Sequence, residues 1–304
     1  MVNLKFGKFW MKRDRNSIQS ELSLSVRKCA SDLADKYRNL GIAHGGGVWN
    51  AKHLASFDVM KFRGDNVYVW QTRVFKEIHY FVSYLYALKV DKLGLHSKFT
   101  ETGSFGVESF TFEGRLVSRD LIDSIIEISY LEEKLQMSKT ERFRILDIGA
   151  GYGRFAKRIQ EGFTNIEVSC IDAIPLSTCL SKVYLEDEIR TGKVTVHQLD
   201  TLDEVQEGSI NLAINIHSFS EMSMPSVESW VRFLVEKKVE YVFVVPNGAD
   251  LALNDGSDFG GLFENAGYHI ESVDDKFSDP EFARFGIYPS KYFLLRRSFS
   301  LRLV

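Results

Sequence analysis

Short apolar runs separated by helical segments fill the second half of the chain and predict a parallel α/β sheet. Nearly continuous apolar residues are typical of parallel strands that are buried on both faces. Two later apolar runs, at 269–273 and 290–297, predict further strands. The five main strands are predicted at residues 143–148, 166–172, 194–200, 210–217 and 239–246. The fold class is therefore α/β, with a Rossmann-like sheet.

The first half of the chain shows helical periodicity instead. Apolar residues recur at steps of three or four positions and predict helices at residues 17–40, 74–93 and 118–136. Alternating apolar and polar residues around Glu113-Gly114 predict a small β-hairpin within residues 105–117. A polar, aperiodic stretch at 137–141 marks a boundary. We therefore expect a mainly helical N-terminal region, residues 1–140, followed by a second domain, residues 141–304.

A glycine-rich turn, Asp147-Ile-Gly-Ala-Gly-Tyr-Gly153, follows the first strand of the predicted sheet. Gly149, Gly151 and Gly153 lack a Cβ atom, so a ligand can approach the backbone closely, and the helix that follows presents unpaired N–H groups. A dinucleotide-binding fingerprint has the spacing Gly-x-Gly-x-x-Gly. Here the third glycine comes one residue early, and Arg154 occupies the expected position. This spacing disfavours a nicotinamide cofactor.

The same turn, with Asp147 two residues ahead of it, resembles motif I of class I S-adenosylmethionine-dependent methyltransferases. In that family the acid and the turn face the amino-acid part of the cofactor. The resemblance implies a class I methyltransferase sheet, whose antiparallel edge suits the close spacing of the last two predicted strands. It also implies S-adenosyl-L-methionine as the cofactor.

Two further acids stand at the ends of predicted strands. Asp172 ends the second strand, where such a fold places a carboxylate against the ribose hydroxyls. Asp200 ends the third strand, at a position that often neighbours the adenine amino group. Asn215, near the end of the fourth strand, is a further candidate for cofactor binding. In open α/β sheets the ligand lies outside these carboxyl ends.

The loop after the fourth strand carries the candidate catalytic residues, His217 and Glu221. A sugar or alcohol hydroxyl is hardly ionised at neutral pH, so its methylation benefits from a positioned base. The pKa of histidine lies near neutrality, which favours His217 as that base. A structural role for His217 stays open beside the catalytic one. Glu221 orients the hydroxyl, binds the cofactor or braces the loop.

The most unusual segment of the first half is Phe62-Arg-Gly-Asp-Asn-Val-Tyr-Val-Trp-Gln71. Its Gly-Asp-Asn is typical of a turn. The aromatic and amide side chains that follow are of the types that carbohydrate sites use, because a ring packs on the apolar face of a sugar and amides bond its hydroxyls. The candidate substrate residues are Asp65, Asn66, Trp70 and Gln71. A turn followed by a core-packing helix is the alternative.

Three longer stretches, taken with the glycine turn, resemble the sugar O-methyltransferase family over about residues 45–297. They are the segment just described, Asn215-x-x-Ser-Phe-Ser-Glu-Met222 and Val117-Ser-Arg-Asp-Leu-Ile-Asp123. The resemblance implies methyl transfer to a sugar hydroxyl of a glycan, a nucleotide-sugar or a glycosylated metabolite. No metal site is predicted, since Asp200 and Asp203 are too few ligands.

Composition and charge narrow the class of protein. The 304 residues carry a formal net charge of −3, whereas a general nucleic-acid binder would show a strong basic excess. No apolar run approaches the roughly 18 residues that span a membrane, and no signal-peptide pattern opens the chain, so we expect the cytoplasm. Residues 1–15 mix aromatic and basic side chains, which leaves contact with a membrane surface as an alternative to a solvated N-terminus.

The three cysteines, Cys29, Cys170 and Cys179, are odd in number and lack Cys-x-x-Cys spacing. This pattern favours a reducing compartment and predicts neither a disulfide framework nor a zinc site.

The sequence thus predicts an S-adenosylmethionine-dependent O-methyltransferase that acts on a sugar hydroxyl, with a helical region that covers the acceptor site. One alternative is a methyltransferase for another acceptor, such as a phenol, an amine or a lipid-linked molecule. A second is a scaffold or sensor that binds the cofactor without transferring a methyl group. A nicotinamide-dependent oxidoreductase is a third.

Overall fold

The computed structural model describes the backbone of residues 7–20 and, with side chains, residues 21–38, 40, 49, 54, 58–64, 68, 76–287 and 290–298. The four candidate substrate residues, Asp65, Asn66, Trp70 and Gln71, lie outside the described residues. Within the described helices, no segment is both long and apolar enough to cross a membrane.

A seven-stranded sheet organises the second half of the chain. Its strands are β3 (Phe143–Ile148), β4 (Ile166–Ile171), β5 (Val194–Val196), β6 (Leu212–Ile216), β7 (Tyr241–Val245), β8 (Tyr268–Asp275) and β9 (Lys291–Arg297). They lie in the order β5-β4-β3-β6-β7-β9-β8, and β9 runs antiparallel to both of its neighbours. The other neighbouring pairs are parallel. This arrangement confirms the predicted Rossmann-like class I methyltransferase sheet, including its antiparallel edge.

Helices cover both faces of the sheet, because consecutive strand residues point to opposite sides. Ile145 lies on one face, in a core cluster that includes residues of α2 (Glu77–Val90), α4 (Arg119–Leu135) and α5 (Arg154–Gly162). Leu146 lies on the other face, in a second core cluster that includes residues of α1 (Gly7–Tyr37), α6 (Pro175–Tyr184), α9 (Met224–Glu236) and α10 (Gly260–Asn265). The first half therefore contributes a helix to each face. Shorter helices are α3 (Leu95–Lys98), α7 (Glu186–Arg190), α8 (Ser218–Glu221) and α11 (Pro280–Phe285).

The elements predicted in the first half are present with shifted ends. The hairpin consists of β1 (Ser109–Phe112) and β2 (Arg115–Ser118), and Ser118 caps α4 as its spacing predicts. The helix predicted at 74–93 ends at Val90 instead. Asp91 is the residue that follows it, and the Asp91 carboxylate accepts hydrogen bonds from the backbone N–H groups of Leu95 and His96 at the start of the next helix.

The third predicted strand is shorter than expected, which displaces Asp200. β5 ends at Val196, and Leu199–Glu204 form a 3-10 helix, so Asp200 does not end a strand. The edge strand β5 pairs with β4 alone, as far as the pair Cys170 and Val196. Beyond it the side chain of Leu199 is buried in the core, which draws the chain out of the sheet.

Cys29 and Cys179 form a disulfide between α1 and α6, which the cysteine pattern, read as neither a disulfide framework nor a zinc site, did not predict. The two cysteines are 150 residues apart, and no spacing pattern marks the pair. Their pairing follows from the packing of α1 on α6, which only the folded chain reveals. Because disulfides persist in oxidising compartments, the cysteines no longer indicate a reducing one. Cys170 is a buried free thiol.

Candidate functional site

A cleft opens at the carboxyl ends of β3, β4 and β6. The order β4-β3-β6 makes this the point where the strand order reverses, and ligands of open α/β sheets bind at such points. The cleft has an empty volume of about 910 Å³, part of it open to solvent. Lining residues include Trp49, Tyr68, Asp147, Gly149, Gly151, Arg154, Asp172, Ser177, His217, Ser218 and Glu221.

The glycine turn forms the floor of this cleft, and its backbone requires glycine. Gly149, Gly151 and Gly153 all have positive φ angles, of 74°, 59° and 89°. A Cβ atom on Gly149 would lie 2.1 Å from Ser218 Oγ, and one on Gly153 would lie 2.3 Å from Leu185 Cδ1. Gly153 does not line the cleft itself but starts α5 in a left-handed conformation. The turn is thus fixed by conformation and by close packing.

Asp172 joins the turn to the end of β4. Its carboxylate accepts hydrogen bonds from the backbone N–H of Gly151 at 2.8 Å and of Ile174 at 2.7 Å. Burial raises the pKa of Asp172 to about 7, the two backbone hydrogen bonds lower it, and the nearby carboxylate of Glu221 raises it. The carboxylate retains lone pairs that can accept a diol.

Asp147 is the second acid of the cleft and is more isolated. It is buried, yet its carboxyl group accepts no hydrogen bond from any residue that the structure describes. Burial raises the pKa of Asp147 to about 7; Arg154 lowers it, and the carboxyl groups of Asp172 and Glu127 raise it. A buried carboxylate without a partner is costly, so this position favours a ligand that brings a positive charge.

Arg154, which occupies the place of a third fingerprint glycine, anchors the turn to α4. Its guanidinium donates to Glu127 at 2.8 and 3.2 Å and to the Ser124 hydroxyl at 2.8 Å. The guanidinium charge is therefore largely satisfied by Glu127, although Arg154 lines the cleft.

A buried charge cluster around Asp120 holds the turn from the other side. The Tyr152 hydroxyl donates to Asp120 Oδ2 at 2.9 Å, and Arg63 Nε donates to the same oxygen at 3.0 Å. Arg158 pairs with the other oxygen of Asp120 at 3.1 Å. Three separate stretches of the sequence meet here, since Arg63 comes from the segment 62–71, Asp120 from 117–123 and Tyr152 from the glycine turn.

Asn215 braces the loop that carries the candidate catalytic residues. Its side-chain amide donates to the Ile148 carbonyl at 2.8 Å, and its side-chain oxygen accepts from the Phe219 N–H at 2.7 Å. Both polar ends of the buried side chain are thus occupied, and Asn215 is not among the lining residues.

His217 lies at the start of α8 with φ 70°, which is uncommon for a residue with a side chain. The strained backbone is held because the His217 N–H donates to the Val245 carbonyl at 2.7 Å. Such strain is often found at functional sites. Within the described part of the chain, the buried Nδ1 of His217 has no hydrogen-bond partner.

The charge state of His217 differs from what the sequence suggests. Burial lowers the pKa of His217 to about 3. Asp123 opposes this shift, while three nearby cations add to it, those of Arg119, Arg154 and Lys276. The imidazole is therefore neutral at pH 7. The reason for choosing His217 as the base, a pKa near neutrality, does not hold in the folded chain.

Two aromatic side chains from the first half close the cleft beside Glu221. Trp49 Nε1 donates to Glu221 Oε2 at 2.7 Å, and the Trp49 and Tyr68 rings lie 5.1 Å apart. The Tyr68 hydroxyl lies 3.0 Å from Ser177 Oγ. A Cβ atom on Gly151 would lie 3.1 Å from the Tyr68 ring, so Tyr68 packs directly over the glycine turn.

The structure brings together most of the candidate residues, but not all. Asp147, Gly149, Gly151, Asp172, His217 and Glu221 line one cleft. Asp200 does not line it; its carboxylate lies 3.5 Å from Lys36 Nζ at the surface. Trp49, Tyr68 and Ser177 were missed by sequence reasoning. Tyr68 lies within the unusual segment of the first half, whereas no sequence pattern marks Trp49.

Comparisons with known proteins find similarity of fold alone. The sequence matches no protein-family profile, and no curated protein matches it. The [4+2]-cyclase SpnF matches with 14% identity over 75% of this chain and 99% of its own, with a TM-score of 0.46. The mitomycin 7-O-methyltransferase MmcR matches with 16% identity over 59% of this chain and 57% of its own, with a TM-score of 0.41.

A SAM-dependent methyltransferase from Aquifex aeolicus matches with 15% identity over 57% of this chain and 98% of its own, with a TM-score of 0.40. At identities below 25% and TM-scores below 0.5, these likenesses do not decide what the chain binds or does. The assignment rests on the cleft.

Proposed function

We propose that the chain is an S-adenosylmethionine-dependent methyltransferase. The observation that carries the proposal is Asp147, a buried carboxyl group beside the glycine turn that accepts no hydrogen bond from the described residues. S-adenosylmethionine supplies an activated methyl group when bound, and it carries a sulfonium and an ammonium group. Asp147 would hold the ammonium group of the amino-acid part, and Asp172 would accept the ribose hydroxyls.

The charges of the cleft disfavour a dinucleotide. Three acids line it, Asp147, Asp172 and Glu221, while the lining arginine, Arg154, already pairs with Glu127. A pyrophosphate placed against the turn would be repelled by these carboxylates. The same three carboxylates attract a cationic cofactor, which supports S-adenosylmethionine over a nicotinamide dinucleotide.

For the acceptor we propose a hydroxyl group of a sugar-containing small molecule or glycan. Trp49 and Tyr68 give the cleft an aromatic wall of the kind that packs on the apolar face of a sugar, and Glu221 places a carboxylate beside it. The resemblance of the sequence to sugar O-methyltransferases supports the same acceptor. In this proposal the N-terminal region, residues 1–140, covers the acceptor site.

The two candidate catalytic residues take different roles. We assign proton acceptance to Glu221, whose carboxylate lines the cleft. His217 stays neutral, and a cationic cofactor would lower its pKa further, so the imidazole serves as a hydrogen-bonding group that orients the acceptor hydroxyl. In this proposal the residues of the cleft bind the cofactor, orient the acceptor hydroxyl and accept its proton.

Thermal shift with S-adenosylhomocysteine and NADH tests the cofactor. S-adenosylhomocysteine should raise Tm, and NADH should not; the reverse result would overturn the proposal. Asp147→Asn, which keeps the shape but removes the negative charge, should abolish most of the shift. A transfer assay with labelled cofactor and a pool of cellular glycans then tests the acceptor. A methylated product that contains no sugar would support a methyltransferase for another small molecule. Cofactor binding without any methylated product would support a scaffold.

A further inference from the structure

The Cys29–Cys179 disulfide joins α1 to the helix that forms one wall of the cleft. Helix α6 begins directly after Ile174, whose N–H donates to Asp172. Ser177, in the first turn of α6, lines the cleft. The covalent link is therefore attached only two residues beyond a cleft-lining side chain.

Helix α1 also contacts the segment that follows β5. The Tyr37 hydroxyl accepts a hydrogen bond from the Leu199 N–H at 2.8 Å, and Lys36 Nζ donates to Gln198 Oε1 at 3.1 Å. These contacts lie about two helical turns beyond Cys29. Helix α1 therefore touches both segments that leave the sheet on this side of the cleft, but it is covalently joined only to α6.

The two cysteines differ in exposure. Cys179 is 2% exposed, whereas Cys29 is only partly buried. The Cys29 side is therefore the more open side of the disulfide. The third cysteine, Cys170, is buried in β4 and takes no part.

We propose that the Cys29–Cys179 pair is a redox latch, which in its oxidised form holds α1 against α6 and keeps the Asp172–Ser177 wall of the cleft in place. Reduction by a dithiol leaves α1 bound by noncovalent contacts alone, and the cleft then binds its cofactor more weakly. The identity of that cofactor rests on the proposed function, but the coupling between α1 and α6 does not.

The reaction balances with a dithiol of the thioredoxin or dithiothreitol class as the electron donor. One thiolate of the reductant attacks Cys29 Sγ, a mixed disulfide forms, and Cys179 leaves as a thiolate that takes up a proton. The second thiol of the reductant then attacks the reductant sulfur that is bonded to Cys29 Sγ in the mixed disulfide. This step releases Cys29 as a thiolate, which is also protonated. The protein disulfide gains two electrons and two protons, and the dithiol becomes a disulfide.

The latch is tested on the full chain in three forms, oxidised, reduced with dithiothreitol, and reoxidised. Alkylation in denaturant should count one thiol in the oxidised form and three in the reduced form. Reduction should speed amide hydrogen exchange in residues 174–180 and raise the dissociation constant of S-adenosylhomocysteine at least about fivefold. Reoxidation should restore both.

Substitutions supply matched controls. Cys29→Ser and Cys179→Ser should behave like the reduced chain and ignore dithiothreitol, whereas Cys170→Ser should keep the full response. The latch would be overturned if the chain still has three thiols after incubation with oxidised glutathione. It would also be overturned if reduction changes neither the amide hydrogen exchange of residues 174–180 nor the affinity for S-adenosylhomocysteine. If exchange responds to reduction while neither form binds S-adenosylhomocysteine, the latch stands and the proposed function fails.

Discussion

The carboxylate of Asp172 and the backbone N–H of Gly151 are joined by a hydrogen bond of 2.8 Å that ties the end of β4 to the glycine turn. The same carboxylate accepts from the Ile174 N–H with its other oxygen. Asp172 therefore shapes the floor of the cleft before any ligand arrives. It is at once a structural brace and the proposed ligand of the ribose.

Replacing Asp172 by Asn should weaken cofactor binding about 10- to 100-fold, because the amide NH₂ cannot accept from a backbone N–H and the charged acceptor is lost. Isothermal titration with S-adenosylhomocysteine measures the change. Asp200→Asn is the matched control, since Asp200 lies outside the cleft lining and should leave affinity unchanged. If the two variants lose affinity for S-adenosylhomocysteine equally, Asp200 is a cofactor ligand as the sequence predicts.

Cofactor affinity should depend on pH through Asp147. The pKa of this carboxyl group is raised to about 7, and the ammonium group of the ligand favours its ionised form. Affinity for S-adenosylhomocysteine should therefore rise at least about tenfold per pH unit well below pH 7, since Asp172 also has a pKa of about 7, and should level off above it. Titrations at pH 6 in buffers of different ionisation enthalpy should detect proton release on binding. On binding the ligand, Asp147→Asn should release about one proton fewer than the wild type, and the protons it still releases should come from Asp172. An unchanged number of released protons would exclude Asp147 as the group that sets the pH dependence.

The same carboxyl group should destabilise the ligand-free protein at high pH. The pKa of Asp147 is raised from the ordinary 3.8 to about 7, so the folded state holds the proton more tightly than the unfolded state. Its contribution is present below pH 4 and is lost as pH rises to 7. Asp147→Asn should thus stabilise the protein at pH 8 by about 1–2 kcal/mol, since unmet hydrogen bonds of the amide offset part of the ionisation cost. The gain should vanish near pH 5.

Asp123, another buried acid, should respond to the same substitution in the opposite way, because its Asn variant should lose stability at pH 8. Burial favours its protonated form, yet Lys276, at 2.7 Å, and Arg119, at 3.1 Å, hold its pKa below the ordinary value. Asp123→Asn removes the carboxylate that pairs with these two buried cations and should cost about 3–5 kcal/mol. Urea unfolding at pH 8 compares both variants. A loss of stability in Asp147→Asn would show that Asp147 has a partner.

The sheet and the cleft floor were predictable because their patterns are local. Strands buried on both faces appear as apolar runs, and Asp147, Gly149 and Gly151 lie within five residues of each other. The edge strand β5 was predicted too long because it has one neighbour, and an apolar residue beyond it, Leu199, turns into the core.

Features that join distant parts of the chain were not predictable. The pKa of His217 depends on charges from α4, α5 and the residue after β8, since Arg119, Arg154 and Lys276 meet only in the folded chain. The disulfide likewise joins residues 150 positions apart. In the sequence, Arg154 stood out only because it occupies the position of the third fingerprint glycine. Its ion pair with Glu127, which lies 27 positions earlier, is visible only in the folded chain.

The glycine turn should tolerate no side chain at Gly149. Gly149 and Gly192 share a φ of 74°, but a Cβ on Gly149 would lie 2.1 Å from Ser218 Oγ, whereas nothing lies within 4 Å of one on Gly192. Gly192→Ala should therefore cost only the conformational penalty of about 1–2 kcal/mol. Gly149→Ala should cost at least about 2 kcal/mol more and should abolish binding of S-adenosylhomocysteine. Urea unfolding and calorimetry measure the pair, and equal costs would mean that the loop at Ser218 moves away freely.

Methyl transfer should depend more on Glu221 than on His217. Glu221→Gln removes the proposed proton acceptor and should lower the single-turnover rate at least about 100-fold. His217→Asn replaces one neutral hydrogen-bonding group by another and should lower it only about tenfold or less. Both variants should retain affinity for S-adenosylhomocysteine within a few-fold, which calorimetry checks.

The pH–rate profile separates the two roles further. If His217 only orients the hydroxyl, His217→Asn should keep the acidic limb of the wild-type profile, because the imidazole, with its pKa lowered to about 3, is already neutral across the working range. Trp49→Phe removes the 2.7 Å hydrogen bond to Glu221 without removing its carboxylate, so that variant should shift the limb to higher pH. Loss of the limb in His217→Asn, with full activity in Glu221→Gln, would instead return the role of base to the histidine.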